Sequence, residues 1–233
     1  MTTVLLVRHG LTAMTGPVLA GWTPGVHLDE RGREQAEALA GRLGPLELDA
    51  IVSSPLERCQ ETAAAIARGR AVSVETDDRF GECGYGDWTG RPLKELAKEP
   101  LWQVVQAHPS AAVFPGGEAL ADTQSRAVRA VRDWNERLGE KATYLVCSHG
   151  DVIKAIVADA LGLHLDQFQR ITADPASVTV IRYTPLRPFL LRSNDVGGDV
   201  ANLVPPSGVP EHKDGGENLT GSDAAVGGGP GTT

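Results

Sequence analysis

Two short stretches, Val4-Leu5-Leu6-Val7 and Thr143-Tyr144-Leu145-Val146-Cys147, carry apolar side chains at successive positions rather than alternate ones. Successive side chains of a strand point to opposite faces, so a strand apolar at both parities must be covered on both sides. Leu48-Asp49-Ala50-Ile51-Val52 repeats the signal in shorter form, Ala71–Val74 suggests a third early strand, and Val178–Tyr183 and Pro188–Leu191 read as the last two. Helical spacing fills the intervals. Asp29 is a natural N-cap for a helix over Glu30–Leu43, with Ala36, Leu39, Ala40 and Leu43 on one face and Gly44-Pro45 as its stop. Ser54-Pro55-Leu56-Glu57 has the form of a capping box opening a helix that runs to about Ala67. Pro92–Lys98 reads as a helix. Ala127, Val131, Trp134 and Leu138 mark a long one after Gly116-Gly117, and Val152–Leu161 is closed by Gly162. Strands alternating with helices predict an α/β fold with a mostly parallel central sheet and helices on both faces.

Composition narrows the partners. The chain has 233 residues, with 22 Lys+Arg against 30 Asp+Glu, and a net charge of -8 gives no basic face for nucleic acid. No apolar run approaches the roughly 20 residues of a membrane span. The start, Met1-Thr2-Thr3-Val4, lacks a basic leader, and Cys59, Cys83 and Cys147 have no paired spacing, so a reducing, cytoplasmic setting is expected. Residues 205–233 are rich in Gly and Pro, acidic and poor in apolar side chains. Such a stretch cannot offset its ordering entropy, so the expected organisation is one domain over 1–204 followed by a disordered tail. On that reading, truncation after Val204 leaves fold and activity unchanged.

The chemistry concentrates where the two buried strands end. Arg8-His9-Gly10 leaves the first and Ser148-His149-Gly150 leaves the later one. In such sheets ligands gather beyond the carboxyl ends of the strands, and each glycine would let a ligand approach closely. His149 also precedes a helix, whose free amides favour an anion. Arg58, early in the helix after the second strand, adds a cation to the same rim. Guanidinium forks bind phosphate bidentately, and a neutral imidazole nitrogen is a competent nucleophile toward phosphorus. Departure of an alcohol needs a proton donor, and Glu82, within Phe80-Gly81-Glu82-Cys83-Gly84-Tyr85-Gly86-Asp87-Trp88-Thr89-Gly90, is the candidate. Trp22 and Trp88 are candidates for the mouth of the site. The cysteines beside Arg58, Glu82 and His149 read as small packing residues or as points of oxidative inhibition.

Taken in order, Arg8-His9-Gly10, Arg58, the Glu82 segment, Pro115-Gly116-Gly117-Glu118 and Ser148-His149-Gly150 resemble the histidine phosphatase superfamily, also called the phosphoglycerate mutase-like family, from residue 4 to about 203. The resemblance implies that His9 is the nucleophile that becomes phosphohistidine. It implies that Glu82 exchanges protons with the leaving group and with water, and that His149, Arg8 and Arg58 hold the phosphoryl group. Gly10, Gly150 and Thr15 would complete the substrate site, and no metal or other cofactor is implied. Leu11 and Thr15 stand where the family often has an acidic residue and a phosphate-touching asparagine, Ala119 stands where a serine is common, and Gly21–Leu28 runs one residue long. These departures bear on substrate choice. The expected activity is hydrolysis of a small phosphorylated metabolite. A phosphomutase is the alternative, disfavoured by the short interval from Glu82 to His149, and a non-catalytic phospho-ligand binder is a further one. The family implies a monomer or a homodimer.

Overall fold

The computed structural model describes residues 1–198, 226, 227 and 229. Six strands form one sheet in the order β3-β2-β4-β1-β5-β6: β1 (Thr2–Arg8), β2 (Ala50–Ser53), β3 (Val74–Thr76), β4 (Thr143–Ser148), β5 (Val178–Tyr183) and β6 (Pro188–Asp195). The first four are parallel, while β5 runs antiparallel to β1 and β6 antiparallel to β5. β3 begins where the expected third strand ends, because its pairing with β2 joins Ile51 to Val74.

Side-chain parity explains the double cover. Val4 and Leu6 join a core with Val131, Trp134, Ile153 and Ile156, which come from α5 (Leu120–Leu138) and α6 (Gly150–Ala160). Leu5 and Val7 point the other way, to Leu39, Leu43, Cys59 and Ile66 of α1 (Glu30–Leu43) and α2 (Glu57–Ala67). The α1 bounds match the sequence expectation, and the Asp29 side chain accepts from the Gly32 amide at 2.7 Å.

The capping-box expectation needs correction. Helix α2 starts at Glu57 with Leu56 as a cap that makes no side-chain bond, so Ser54 lies too early to cap it. The Pro92–Lys98 helix shrinks to α3 (Leu93–Leu96), and a further helix, α4 (Pro100–Ala107), follows. These elements wrap a third apolar cluster of Leu19, Tyr85, Trp88, Trp102, Phe114 and Phe168 beside the sheet. Trp88 is buried there against Trp102 and Phe114, so it does not line the mouth of the site. Among the described residues, no helix is long and apolar enough to cross a membrane. Apart from residues 226, 227 and 229, the expected tail over 205–233 lies outside the described residues.

Candidate active site

Because β1 and β4 are parallel neighbours with Arg8 opposite Ser148, their two His-Gly exits emerge side by side. The His9 amide donates to the Ser148 carbonyl at 3.1 Å, and the two imidazole rings meet edge to face with centroids 5.2 Å apart. Arg58, in the first turn of α2, reaches into the same place. Its Nε donates to His9 Nε2 at 3.3 Å, and its Nη2 donates to the Gly21 carbonyl at 2.8 Å and to His149 Nδ1 at 3.3 Å. Its Nη1 is buried and has no hydrogen-bond partner among the described residues. Buried guanidinium nitrogens are ordinarily satisfied, so an open one beside a second buried arginine, Arg8, describes a socket for an anionic oxygen.

The protonation pattern follows from these bonds. His9 Nδ1 lies 2.7 Å from the Gly10 carbonyl, which only accepts, so the ring proton sits on Nδ1 and Nε2 presents its lone pair. Burial, then the charges of Arg58 and Arg8, hold the His9 pKa well below the usual 6.5. Burial and Arg58 do the same to His149. Both rings are therefore neutral at pH 7. Glu82 shows the opposite displacement. It is buried, with Oε1 accepting from the Cys83 amide at 2.9 Å and Oε2 3.8 Å from His149 Nδ1. Burial, reinforced by the nearby Asp151 carboxylate and opposed by Arg58 and Arg8, raises its pKa to about 7.

The loop carrying Glu82 is clamped by main-chain contacts. Trp22 Nε1 and Arg126 Nη2 both donate to the Glu82 carbonyl, at 2.7 and 2.8 Å. Glu118 takes the Gly84 amide at 2.8 Å and gives its own amide to the Gly84 carbonyl at 2.8 Å, while Arg126 holds its carboxylate. The loop glycines serve this docking. Gly86 has φ +53°, and a Cβ there would lie 2.1 Å from the Pro115 carbonyl oxygen; a Cβ on Gly117 would lie 2.0 Å from that of Gly84. Gly86→Ala is therefore expected to lower stability by at least ~2 kcal/mol, read as a lower midpoint in calorimetric melting, because both its φ and its backbone contact must yield.

The profile described as "Histidine phosphatase superfamily (branch 1)" matches residues 4–196, which takes in every one of these side chains. The chain belongs to the histidine phosphatase superfamily. It is 34% identical over 206 residues to phosphoserine phosphatase 1 of Hydrogenobacter thermophilus, covering 83% of this chain and 92% of the relative. It is 30% identical to a protein of Cronobacter sakazakii named probable phosphoglycerate mutase, covering 89% and 97% of the two chains. Among solved structures, Bacillus stearothermophilus YhfR superposes with a TM-score of 0.77 at 30% identity, over 84% of this chain and 98% of that one.

Within this histidine phosphatase, His9, Arg8, Arg58, Glu82 and Thr15 line a single solvent-open pocket. Thr15 Oγ1 is held by the Thr12 amide at 3.1 Å and lies 3.0 Å from the Thr12 hydroxyl, so it is fixed at the wall. His149 is fully buried and is not among the pocket's lining residues.

Gly10 does something other than expected. Its amide donates to Thr62 Oγ1 at 3.1 Å, and the space its Cβ would fill holds the Gly32 carbonyl at 2.5 Å. It serves the packing of α1 and is not among the pocket's lining residues. Gly150 likewise begins α6 and is not among them.

Sequence reasoning missed several contributors. Ser54 Oγ lies 2.8 Å from His149 Nε2, and Cys59 Sγ 3.4 Å from the same atom. With Nδ1 accepting from Arg58, the Nε2 proton of His149 goes to Ser54. Ser54-Pro55 carried a signal, but a capping signal masked the role. Asp151, two residues after His149, is buried and accepts from the Tyr85 hydroxyl at 2.8 Å and from Lys154 at 3.3 Å. Cys59, Cys83 and Cys147 are all buried and unbridged, and burial pushes the Cys83 and Cys147 thiols upward, which favours the packing reading over oxidative inhibition.

Proposed function

We propose that this small-metabolite phosphatase works in two transfers through His9, with Glu82 as its proton carrier. The observation that carries the reading is the fixed tautomer of His9: a proton held on Nδ1 by the Gly10 carbonyl, and an unprotonated Nε2 that accepts from Arg58 in a socket made by two arginines. In the first transfer Nε2 forms the P–N bond as the P–O bond to the alcohol breaks, and the departing oxygen takes the Glu82 proton. The phosphorylated ring then carries positive charge, which the Gly10 carbonyl stabilises through Nδ1–H. In the second transfer Glu82, now ionised, takes a proton from water while the water oxygen displaces Nε2 from phosphorus. This regenerates neutral His9 and protonated Glu82 and releases phosphate.

Arg8 and Arg58 hold the equatorial oxygens. A bound dianion also offsets the cations that depress His149, so that ring can take up a proton and add positive charge near the phosphoryl group. Thr15 is part of the same reading as a contact at the pocket wall. The Hydrogenobacter relative supplies the first substrate to try, phosphoserine. A cytoplasmic location fits three buried, unbridged cysteines. A monomer or a homodimer is the assembly the family suggests.

The test is phosphate release from a panel of small phosphomonoesters, phosphoserine included, in excess EDTA. Release is expected to persist undiminished in EDTA, since every group invoked belongs to the protein chain or to water. The Cronobacter relative makes phosphoryl return to substrate the competing outcome: label passing between phosphoglycerates without release of phosphate would replace the hydrolase by a mutase.

A further inference from the structure

Val226, Gly227 and Gly229 are far from the site in sequence and beside it in space. Val226 is 1% exposed and sits in the apolar cluster with Leu19 and Tyr85. The Gly227 amide donates to Asp151 Oδ2 at 3.0 Å, and the Gly229 carbonyl accepts from Arg8 Nη1 at 2.7 Å across 221 positions of sequence. Val226 and Gly227 line the same pocket as His9, Arg58 and Glu82. Gly227 has φ +74°, and a Cβ there would stand 2.7 Å from Leu19 Cδ1, so glycine is what lets the chain lie flat against the pocket.

We propose that Val226, Gly227 and Gly229 form a wall of the substrate pocket that limits the size of the alcohol the enzyme accepts. Three independent attachments seat it: an apolar side chain, an amide on a buried carboxylate and a carbonyl on a buried guanidinium. The carboxylate that anchors the segment, Asp151, also raises the Glu82 pKa, so the wall and the proton donor share one support. The third attachment falls on Arg8, where a phosphoryl oxygen is proposed to bind, so the wall borders the space an ester enters. The expectation that everything after Val204 is dispensable is replaced by one in which Val226, Gly227 and Gly229 set specificity.

This inference rests on the hydrolase reading, and full-length variants separate the two. Val226→Gly removes the apolar anchor, and Gly227→Val forces a β-branched residue into a left-handed conformation. Each is expected to raise the ratio of kcat/KM for 1-naphthyl phosphate to kcat/KM for phosphoserine by about tenfold or more, the range one pocket contact commonly commands. Ratios within about twofold of the parent in both variants, or equal losses on both esters, would overturn the wall. The same comparison is made without turnover by measuring 1-naphthyl phosphate binding calorimetrically to His9→Ala and to His9→Ala/Gly227→Val. Tighter binding to the double variant supports the wall, and unchanged or weaker binding overturns it. Absence of phosphate release from every ester in the parent counts against the hydrolase alone.

Discussion

His9→Ala is expected to abolish phosphate release, by at least about 10⁴-fold in kcat, while the protein still binds phosphate esters. The size of the effect follows from the division of labour in the site. Arg8, Arg58 and His149 can neutralise and orient the phosphoryl group without His9, and they retain some advantage over water. None of them offers a lone pair at the position of His9 Nε2, because both arginines are donors only and His149 Nδ1 faces Arg58 Nη2 and Glu82. The variant also loses one of the four groups that crowd the cleft, so ester affinity is expected to change little. Rapid-quench measurement with ³²P-labelled ester would show acid-labile label on the parent and none on the variant. Turnover surviving in the variant, with direct attack by water, would remove His9 from the mechanism. Activity that disappears together with ester binding would mean that the substitution had damaged the socket rather than the nucleophile.

What the sequence made legible was local. The consecutive apolar residues of β1 and β4 reported double-sided burial, and Asp29 and Gly44 bracketed α1 at its observed bounds. Both His-Gly exits were visible because each follows directly on such a strand. Features that depend on distant pairs were not visible. Ser54 meets His149 across 95 positions, Trp22 meets Glu82 across 60, and Gly229 meets Arg8 across 221, and no period in the sequence encodes such contacts. Ser54 and Gly10 were each assigned the commoner use of their residue type, helix capping and ligand approach. The structure gives them to His149 and to the packing of α1. Helix α4 was missed because its apolar residues, Trp102 and Val105 among them, belong to a cluster beside the sheet and not to either of its faces. The residues 226–229 were judged by composition, which measures whether a segment can build a core of its own. Val226 needs only a vacancy in a core built by others.

The second large effect concerns Glu82, and its sign can be worked out from the environment. Its pKa of about 7 means that the carboxyl is protonated below neutrality and ionised above it. The first transfer requires the proton, so kcat/KM is expected to fall as pH rises through about 7. On the acid side it falls again once His9 takes a proton, below that ring's ordinary 6.5.

Glu82→Gln keeps the shape and can still accept from the Cys83 amide, but it neither gives nor takes a proton. It is expected to cost 10²- to 10⁴-fold in kcat for alkyl esters and to flatten the alkaline limb. The loss should be much smaller for 4-nitrophenyl phosphate, whose leaving oxygen needs no proton. Equal losses on both kinds of ester would assign Glu82 to binding instead.

Stability supplies an independent reading. A carboxyl whose folded pKa is raised above the unfolded value of 4.5 costs nothing below pH 4.5. It destabilises increasingly between 4.5 and 7 and carries its full penalty above 7. Glu82→Gln should therefore melt higher than the parent at pH 8, with the difference shrinking toward pH 4.5. A variant that is slower in catalysis and more stable at alkaline pH is the pairing expected when a buried acid is kept for its proton, since a purely structural glutamate, ion-paired and ionised, would give the opposite sign.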